Sequence, residues 1–218
     1  QTLDDSFTVS VSDGAGGRVE QVLTVTINGT NDAPTSSGAV TNSDAREAGV
    51  DVSGAVTAVA ATGVSDALFA NLTDVDDVIA AFSVAQAKET TAGTLASVSG
   101  ADAANGTFII GLYGTIKIGT DGSYSYVVDN TNNTVQALDE TQTLDDSFTV
   151  SVSDGAGGSV EQVLTVTING TNDAPTLENS IVDQSVNEDS AFSFSVSSNT
   201  FKDIDNSDTL IYSATYTD

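Results

Sequence analysis

The sequence contains no Cys, His, Met or Trp, and only five of its 218 residues are basic. Without Cys or His it offers no disulfide scaffold, no thiol nucleophile, no imidazole base and no typical zinc or haem ligand. Most familiar hydrolase and oxidoreductase chemistry is therefore excluded, and we expect no enzyme activity. Because Met is absent and Gln1 comes first, we also expect the chain to be a segment of a longer protein.

The charge balance is strongly one-sided, with 31 acidic residues and a formal net charge of −26. Five scattered cations cannot neutralise a phosphate backbone, so we expect no nucleic-acid partner. The sequence has no apolar run of the roughly 18 residues that a bilayer-spanning helix requires, so we expect no membrane insertion. Cations are the expected partners of a chain with this excess of carboxylates.

An internal repeat divides the chain. Residues 1–35 recur at 142–176 with one difference, which is Arg18 in the first copy and Ser159 in the second. The copies lie 141 residues apart, a typical domain length. We therefore predict three parts: the C-terminal hairpin of a truncated repeat plus a linker (1–35), a complete domain plus a linker (36–176), and the N-terminal part of a further domain (177–218).

Alternating apolar and polar residues in the repeated segment predict a β-hairpin with one buried face. Its apolar positions flank a Gly-rich turn, and in the second copy they are Phe148, Val150, Val152, Leu164, Val166 and Ile168. A second hairpin is predicted over 114–130, and its apolar face comprises Tyr124, Tyr126 and Val128. Similar alternation predicts strands over 192–196 and 210–216.

Short strands separated by turn residues predict an all-β chain of antiparallel β-sandwiches. Only 52–105 is ambiguous, because small residues dominate it. Within it, DALFANL (66–72) and DDVIAAF (76–82) each fit either a helical turn or the edge of a strand.

Three stretches resemble the VCBS repeat, a cadherin-like module of large secreted bacterial adhesins of the RTX type. They are GTIKIGTDGSYSYVVDN (114–130), VQALDETQTLDDSFTVSVSDGAGG (135–158) and LTVTINGTNDAPT (164–176). The closing stretch 183–218 is similar to the opening half of a dystroglycan-type cadherin-like module. The resemblance implies tandem Ig-like sandwiches, calcium between domains, and a spacer or adhesive role at the cell surface.

The resemblance also implies metal ligands at a first-strand glutamate, an Asp-x-Asp loop, an acidic pair and a linker Asn-Asp. The matching positions here are Glu47, Asp74 and Asp76, Asp139 and Glu140, and Asn172 and Asp173. One position departs from the pattern, because Gly170 stands where these families carry an acid two residues before the linker pair.

A further acidic cluster follows from the residues themselves. Asp203, Asp205 and Asp208 lie close together in FKDIDNSDTL, and two carboxylates about 4 Å apart repel by roughly 4 kcal/mol at an effective dielectric near 20. Calcium takes six to eight oxygen ligands and would relieve this repulsion, while a solvated loop is the alternative. The repeat extends the prediction to Asn31 and Asp32, which we group with the Asp-x-Asp loop of the complete domain.

Other aspartates lie beside Gly or Ser, where a side chain that accepts backbone hydrogen bonds in a turn explains them without metal. They are Asp121, Asp145, Asp146 and Asp154. The predicted function is a calcium-rigidified spacer of a secreted bacterial surface adhesin, which supports cell adhesion or biofilm formation. The alternatives are a domain that binds a host or surface glycan through 52–105 and an accessory module of an enzyme. Near-identical repetition favours the spacer, because repeated units add length.

Overall fold

The computed structural model describes residues 2–51 and 54–215, and these form an all-β fold. In the described ranges, no helix has the length and apolarity needed to cross a bilayer. The strands in chain order are β1 (Thr2–Ser12), β2 (Arg18–Asn28), β3 (Thr35–Ser36), β4 (Val40–Arg46), β5 (Gly49–Asp51), β6 (Gly54–Val56), β7 (Ala61–Gly63), β8 (Leu72–Thr73), β9 (Ser83–Glu89), β10 (Ala96–Ser97), β11 (Thr107–Ile110), β12 (Gly114–Ile118), β13 (Tyr124–Val128), β14 (Thr143–Ser153), β15 (Ser159–Asn169), β16 (Thr176–Leu177) and β17 (Phe201–Lys202).

Two sheets between β4 and β15 form a sandwich. One has the strand order β10-β9-β14-β15-β4 and the other the order β11-β12-β13-β7. Their facing side chains make the core, which confirms the apolar faces predicted for both hairpins. The pairing differs from the predicted all-antiparallel arrangement at one place, because β4 runs parallel to β15 with Val40 beside Leu164.

The two copies of the repeated hairpin have the same register and opposite environments. Phe7 faces Leu23 across β1 and β2, as Phe148 faces Leu164 across β14 and β15. Phe148 is fully buried because its hairpin lies between β9 and β4 and packs on the second sheet. The first copy forms a separate two-stranded sheet, and Phe7 is 50% exposed.

The ambiguous region contains the short strands β6 to β10 and two helical turns. Ala67–Phe69 and Ile79–Ala81 are single 3₁₀ turns. Phe69 is buried, and its ring meets that of Phe82 edge-on at a centroid distance of 6.0 Å. The helical-turn interpretation is therefore the right one for both segments.

The strands predicted over 192–196 and 210–216 are wrong for the described residues, since the only strand pair there after residue 175 is β16 with β17. Phe192 and Phe194 are 57% and 44% exposed. Alternation alone does not make a strand, because its N–H and C=O groups need a neighbouring strand to pair with. Residue 216 lies outside the described ranges.

Asp145 and Asp146 are not turn residues as predicted, because both lie within β14. Asp145 is exposed and accepts a hydrogen bond from the Thr167 hydroxyl at 2.7 Å. Asp146 is fully buried and accepts from the N–H groups of Leu112 and Tyr113 and from the Tyr126 hydroxyl, at 2.9 to 3.1 Å. This carboxylate therefore ties the long hairpin to the opposite sheet.

We expect Asp146→Ala to lower the free energy of unfolding by about 3 kcal/mol, because it leaves the buried Tyr126 hydroxyl and two partly buried N–H groups without an acceptor. The adjacent Asp145→Ala is the control, and a change of about 0.5 kcal/mol or less is expected because Asp145 is exposed. Urea unfolding of both variants checks this. Equal destabilisation by the two substitutions would contradict the cross-sheet role of Asp146.

Amide hydrogen exchange should distinguish the identical hairpins. An isolated two-stranded hairpin is marginal in water. We therefore expect amides from Phe7 to Ile27 to exchange at least about a hundredfold faster than those from Phe148 to Ile168. Equal protection of both copies in a monomeric sample would show that the first hairpin is also held by a core.

Candidate metal centres

The two linkers share one local framework. Residues 28–35 and 169–176 have the same sequence, and each linker leads into a short strand, β3 or β16. β3 pairs with β8, just before Asp74, and β16 pairs with β17, just before Asp203. Strand pairing thus places each Asp-x-Asp loop against its own linker.

The two linkers form corresponding backbone hydrogen bonds to their Asp-x-Asp loops. The N–H of Asp32 donates to Asp76 Oδ2, and the N–H of Asp173 donates to Asp205 Oδ2, both at 2.7 Å. Within each loop the second aspartate N–H also donates to the first aspartate, at 2.8 and 3.1 Å. The structure therefore brings together the linker and loop residues that the sequence grouped, while metal binding by them stays a prediction.

At the first linker the structure brings Asp74 together with two carboxylates that the sequence did not predict as ligands. Oxygens of Asp74, Asp77 and Asp154 all lie within 4.8 Å of one another. Asp74 Oδ2 is buried and accepts no hydrogen bond from the described residues. Asp76, a predicted ligand, is exposed and uses one oxygen for the linker N–H. We name Asp74, Asp77 and Asp154 the first-linker cluster.

Asp154 illustrates what sequence reasoning missed. The predicted turn exists, since Asp154 Oδ1 accepts from the N–H groups of Ala156 and Gly158 at 2.8 and 2.9 Å. Its Oδ2 in addition accepts from the Asn31 side chain at 2.8 Å, and the residue is only 4% exposed. Asp13, its counterpart, makes the same turn bonds but is exposed. Identical local sequences cannot distinguish these two roles, whereas the acidic run of DVDD was a signal for Asp77.

At the second linker, carboxylates converge from three parts of the chain: the complete domain, the linker and the segment after it. We name this set the second-linker cluster, and its members are Glu47, Asp139, Glu140, Asp173, Asp203, Asp205 and Asp208.

The segment after the linker supplies three of these carboxylates, since oxygens of Asp203, Asp205 and Asp208 lie within 4.8 Å of one another. Asp205 is 4% exposed, and its Oδ1 is buried without a hydrogen-bond partner among the described residues. The same holds for Asp173 Oδ2. Buried carboxylate oxygens without a hydrogen-bond donor are energetically costly. A positively charged partner at this cluster would remove that cost.

Glu47 connects the cluster to the complete domain. It is fully buried at the end of β4 and accepts from Thr171 N–H at 3.1 Å and from the Gln136 side chain at 2.8 Å. The pKa of Glu47 is raised to about 7, mainly by burial and in part by the negative charges of Asp173 and Asp205, while its two hydrogen bonds act to lower it. Glu47 is thus placed where a cation would favour its charged form.

Asp139 holds the loop that follows β17. Its Oδ2 accepts from the Ser207 hydroxyl, which lowers the pKa of Asp139. The N–H of Asn206 donates to the Ala137 carbonyl at 3.2 Å. Direct hydrogen bonds therefore dock loop 203–208 on the complete domain.

Asp205 and Asp208 are repelled by neighbouring carboxylates of the second-linker cluster, and this repulsion contributes to their raised pKa values. The pKa of Asp205 is raised to about 6, mainly by desolvation and in part by the negative charges of Asp173, Asp203 and Asp208. Desolvation also raises the pKa of Asp208, together with Asp203, exposed Glu140 and Asp139. In the described part of the chain the only ion pair joins Arg18 to Glu20, away from both clusters. No basic side chain of the described residues forms an ion pair with a carboxylate of either cluster.

Two linker positions complete the picture. Asn172 donates to the Val50 carbonyl at 3.3 Å, so this linker side chain bonds to β5 and is not brought among the clustered carboxylates. At Gly170, a Cβ atom would collide with the Asp139 carbonyl oxygen. Only glycine fits there, so this position cannot carry the acidic side chain that the resemblance implies.

The acidity of Glu47 predicts a pH dependence in the presence of chelator. Its pKa is raised from 4.5 to about 7 in the folded state, so its protonated form favours folding. We expect the free energy of unfolding to rise as pH falls from above 7 towards 4.5, and Glu47→Gln to weaken this slope. Urea unfolding across this pH range measures it.

Glu89→Gln provides the matched control. Glu89 is also buried, but hydrogen bonds from Ala92 and Thr91 lower its pKa. The stability contributed by its charge is lost only as pH falls through the acid range, so this variant should keep the slope above pH 4.5. A slope unaffected by Glu47→Gln would show that Glu47 does not titrate as inferred.

A scan against protein-family models finds none that matches this chain, and a search of curated proteins finds no matching relative.

Proposed function

We propose that the chain is a calcium-rigidified spacer segment of a large secreted bacterial surface adhesin. The observation that carries this proposal is the convergence of carboxylates from two neighbouring units and from the linker between them. The same linker framework occurs twice, with different sequences after it. A structural device that recurs at each junction suits a protein whose function is to extend.

The ligand chemistry supports calcium as the cation. Calcium binds six to eight oxygens in flexible geometry, and both clusters offer aspartate oxygens within 4.8 Å of one another. The alternative of a solvated loop does not account for the buried, unpartnered oxygens of Asp173 and Asp205. A divalent cation would supply the missing partner and offset part of the net charge of −26.

A cation at the second linker would restrict the hinge. Glu47 and Asp139 belong to the complete domain, whereas Asp203 and Asp205 belong to the segment after the linker. An ion that binds both sets of carboxylates stabilises only those orientations of the two units in which both sets can reach the ion. Calcium would therefore select one relative orientation of neighbouring units.

The proposed setting is the cell surface. Extracellular calcium modules have dissociation constants of about 10⁻⁴ to 10⁻³ M, which suits an ion abundant outside cells and scarce inside them. The spacer would stay loose during export and stiffen after secretion, and so present a distal adhesive region for cell adhesion or biofilm formation. In this proposal the chain itself catalyses no reaction.

Glycan binding through 52–105 has less support. Sugar sites commonly use exposed aromatic rings, whereas Phe69 and Phe82 of this region pack against each other in the core. The open groove beside the first-linker cluster is lined mainly by acidic and aliphatic side chains such as Val78 and Ile79, and the Phe82 ring that also borders it is only 6% exposed. The spacer is therefore the function that the described side chains favour.

Small-angle scattering of the full chain tests the proposal. Millimolar calcium, near the upper end of the dissociation constants of such modules, should narrow the distribution of particle shapes relative to excess chelator. Asp173→Asn together with Asp205→Asn should abolish most of this response, because it removes two carboxylates of the second-linker cluster and preserves their size.

Asp44→Asn together with Asp183→Asn is the control, since both residues are exposed and lie outside both clusters. It removes the same charge and should keep the calcium response. Identical scattering in chelator and in calcium would overturn the proposal, and an equal loss in both double variants would reduce the effect to general charge screening.

A further inference from the structure

The two sheets of the sandwich present different outer faces. On the larger sheet the outward positions of β14 and β15 are mostly hydroxyl or charged residues, and these bond to one another across the strands. The Ser147 hydroxyl lies 3.1 Å from that of Thr165, and the Thr167 hydroxyl donates to Asp145 at 2.7 Å. This polar surface is typical of an antiparallel sheet that faces water on one side.

The smaller sheet has an apolar outer face instead. Phe108 and Ile110 of β11 and Val127 of β13 are 66%, 78% and 58% exposed, whereas the alternate positions of both strands face the core. Strand pairing places Ile110 beside Thr115 and Thr115 beside Val127, so these side chains form one surface. Strands that are apolar on both faces are typical of sheets that are covered on both sides.

We name the outward side chains of β11, β12 and β13 the outer patch. Its members are Phe108, Ile110, Thr115, Lys117, Ser125 and Val127. All of them lie in the sandwich between β4 and β15, and none belongs to a linker or to the hairpin of the first copy.

The outer patch also differs from the rest of the surface in charge. The chain has 31 acidic residues, yet the patch contains none of them. Its single charged side chain is Lys117, whose Nζ lies 5.0 Å from the centroid of the Phe108 ring and donates to the Ala104 carbonyl. Lys117 therefore lies along the patch, and it forms no ion pair with the described residues.

This distribution of charge favours a second copy of the chain as the partner. Each copy carries a net charge of −26, so contacts through the acidic surface bring carboxylates close to carboxylates. At the outer patch two copies meet through apolar side chains and hydroxyls, and no carboxylate of the patch opposes the burial of apolar area. A cationic partner would instead bind the acidic remainder of the surface.

We propose that the outer patch is a self-association surface, on which the smaller sheets of two chains pack face to face. The contact is isologous, because the same residues face each other across a two-fold axis. The patch is small, with three strands of four or five residues and about 10 Å between the outer two. A stable dimer buries about 800 Å² on each partner, so this association is weak and transient in dilute solution.

The physical consequence is lateral contact between neighbouring chains. A weak contact becomes effective where many chains are held close together, since the local concentration is then high. The inference does not depend on calcium, because the outer patch shares no residue with either acidic cluster. Its failure would therefore leave the proposed spacer function untouched.

Nuclear magnetic resonance of the full chain in excess chelator tests the proposal. Amide chemical shifts are compared between micromolar and millimolar protein at fixed salt. We expect the shifts of β11, β12 and β13 to change with concentration while those of β14 and β15 stay constant. The fitted dissociation constant should fall severalfold from about 0.02 M to about 0.5 M sodium chloride, because salt screens the repulsion between the copies.

A pair of double variants makes the test specific. Phe108→Thr together with Ile110→Thr removes most of the apolar side chains of the patch and should abolish the concentration dependence. Val75→Thr together with Val78→Thr is the control, since both residues are 72% or more exposed and lie outside the patch. It removes apolar surface elsewhere and should leave the dissociation constant unchanged.

Four results would overturn the proposal. The first is the absence of concentration-dependent shifts in β11 to β13 at millimolar protein and high salt. The second is shifts confined to β1 and β2, which would assign the association to the first hairpin. The third is association that weakens as salt rises, which would indicate an ionic contact, and the fourth is an equal loss in both double variants.

Discussion

Negative charge without a positive partner is the constraint on which the arrangement of this chain depends. Carboxylates buried inside the sandwich are satisfied, as Asp146 is by three donors. At the second linker, Asp173 and Asp205 keep buried oxygens that no described donor reaches. Buried carboxylates therefore have hydrogen-bond donors within the domain, whereas buried carboxylate oxygens between the units have none among the described residues. A cation bound between the units would have the largest effect on the shape of the chain.

The linker framework shows how a repeat can conserve geometry without conserving sequence. After each linker a two-residue strand pairs with the strand that precedes an Asp-x-Asp loop, although the segments between them differ in length and composition. The ends of both segments are joined by backbone hydrogen bonds, while the first segment also contains β4 to β7, which pair within the complete domain.

The two hairpins show that burial belongs to the environment and not to the strand. Identical residues are in the core at 143–169 and in solvent at 2–28, because only the second copy has β9 and β4 at its edges and a sheet against its face. The chain thereby contains an internal comparison of one sequence in two surroundings.

The sequence by itself determined the hairpins and their buried faces, because alternation with a period of two specifies which side of a strand is apolar. It also grouped the linker aspartates with the Asp-x-Asp loops, and hydrogen bonds between Asp32 and Asp76 and between Asp173 and Asp205 place these residues together. Tertiary structure alone decided the parallel pairing of β4 with β15, the buried role of Asp146 and the place of Asp154 beside Asp74. These depend on contacts between residues distant in the chain. The strands predicted over 192–196 and 210–216 failed for the same reason: a strand exists only where another backbone pairs with it.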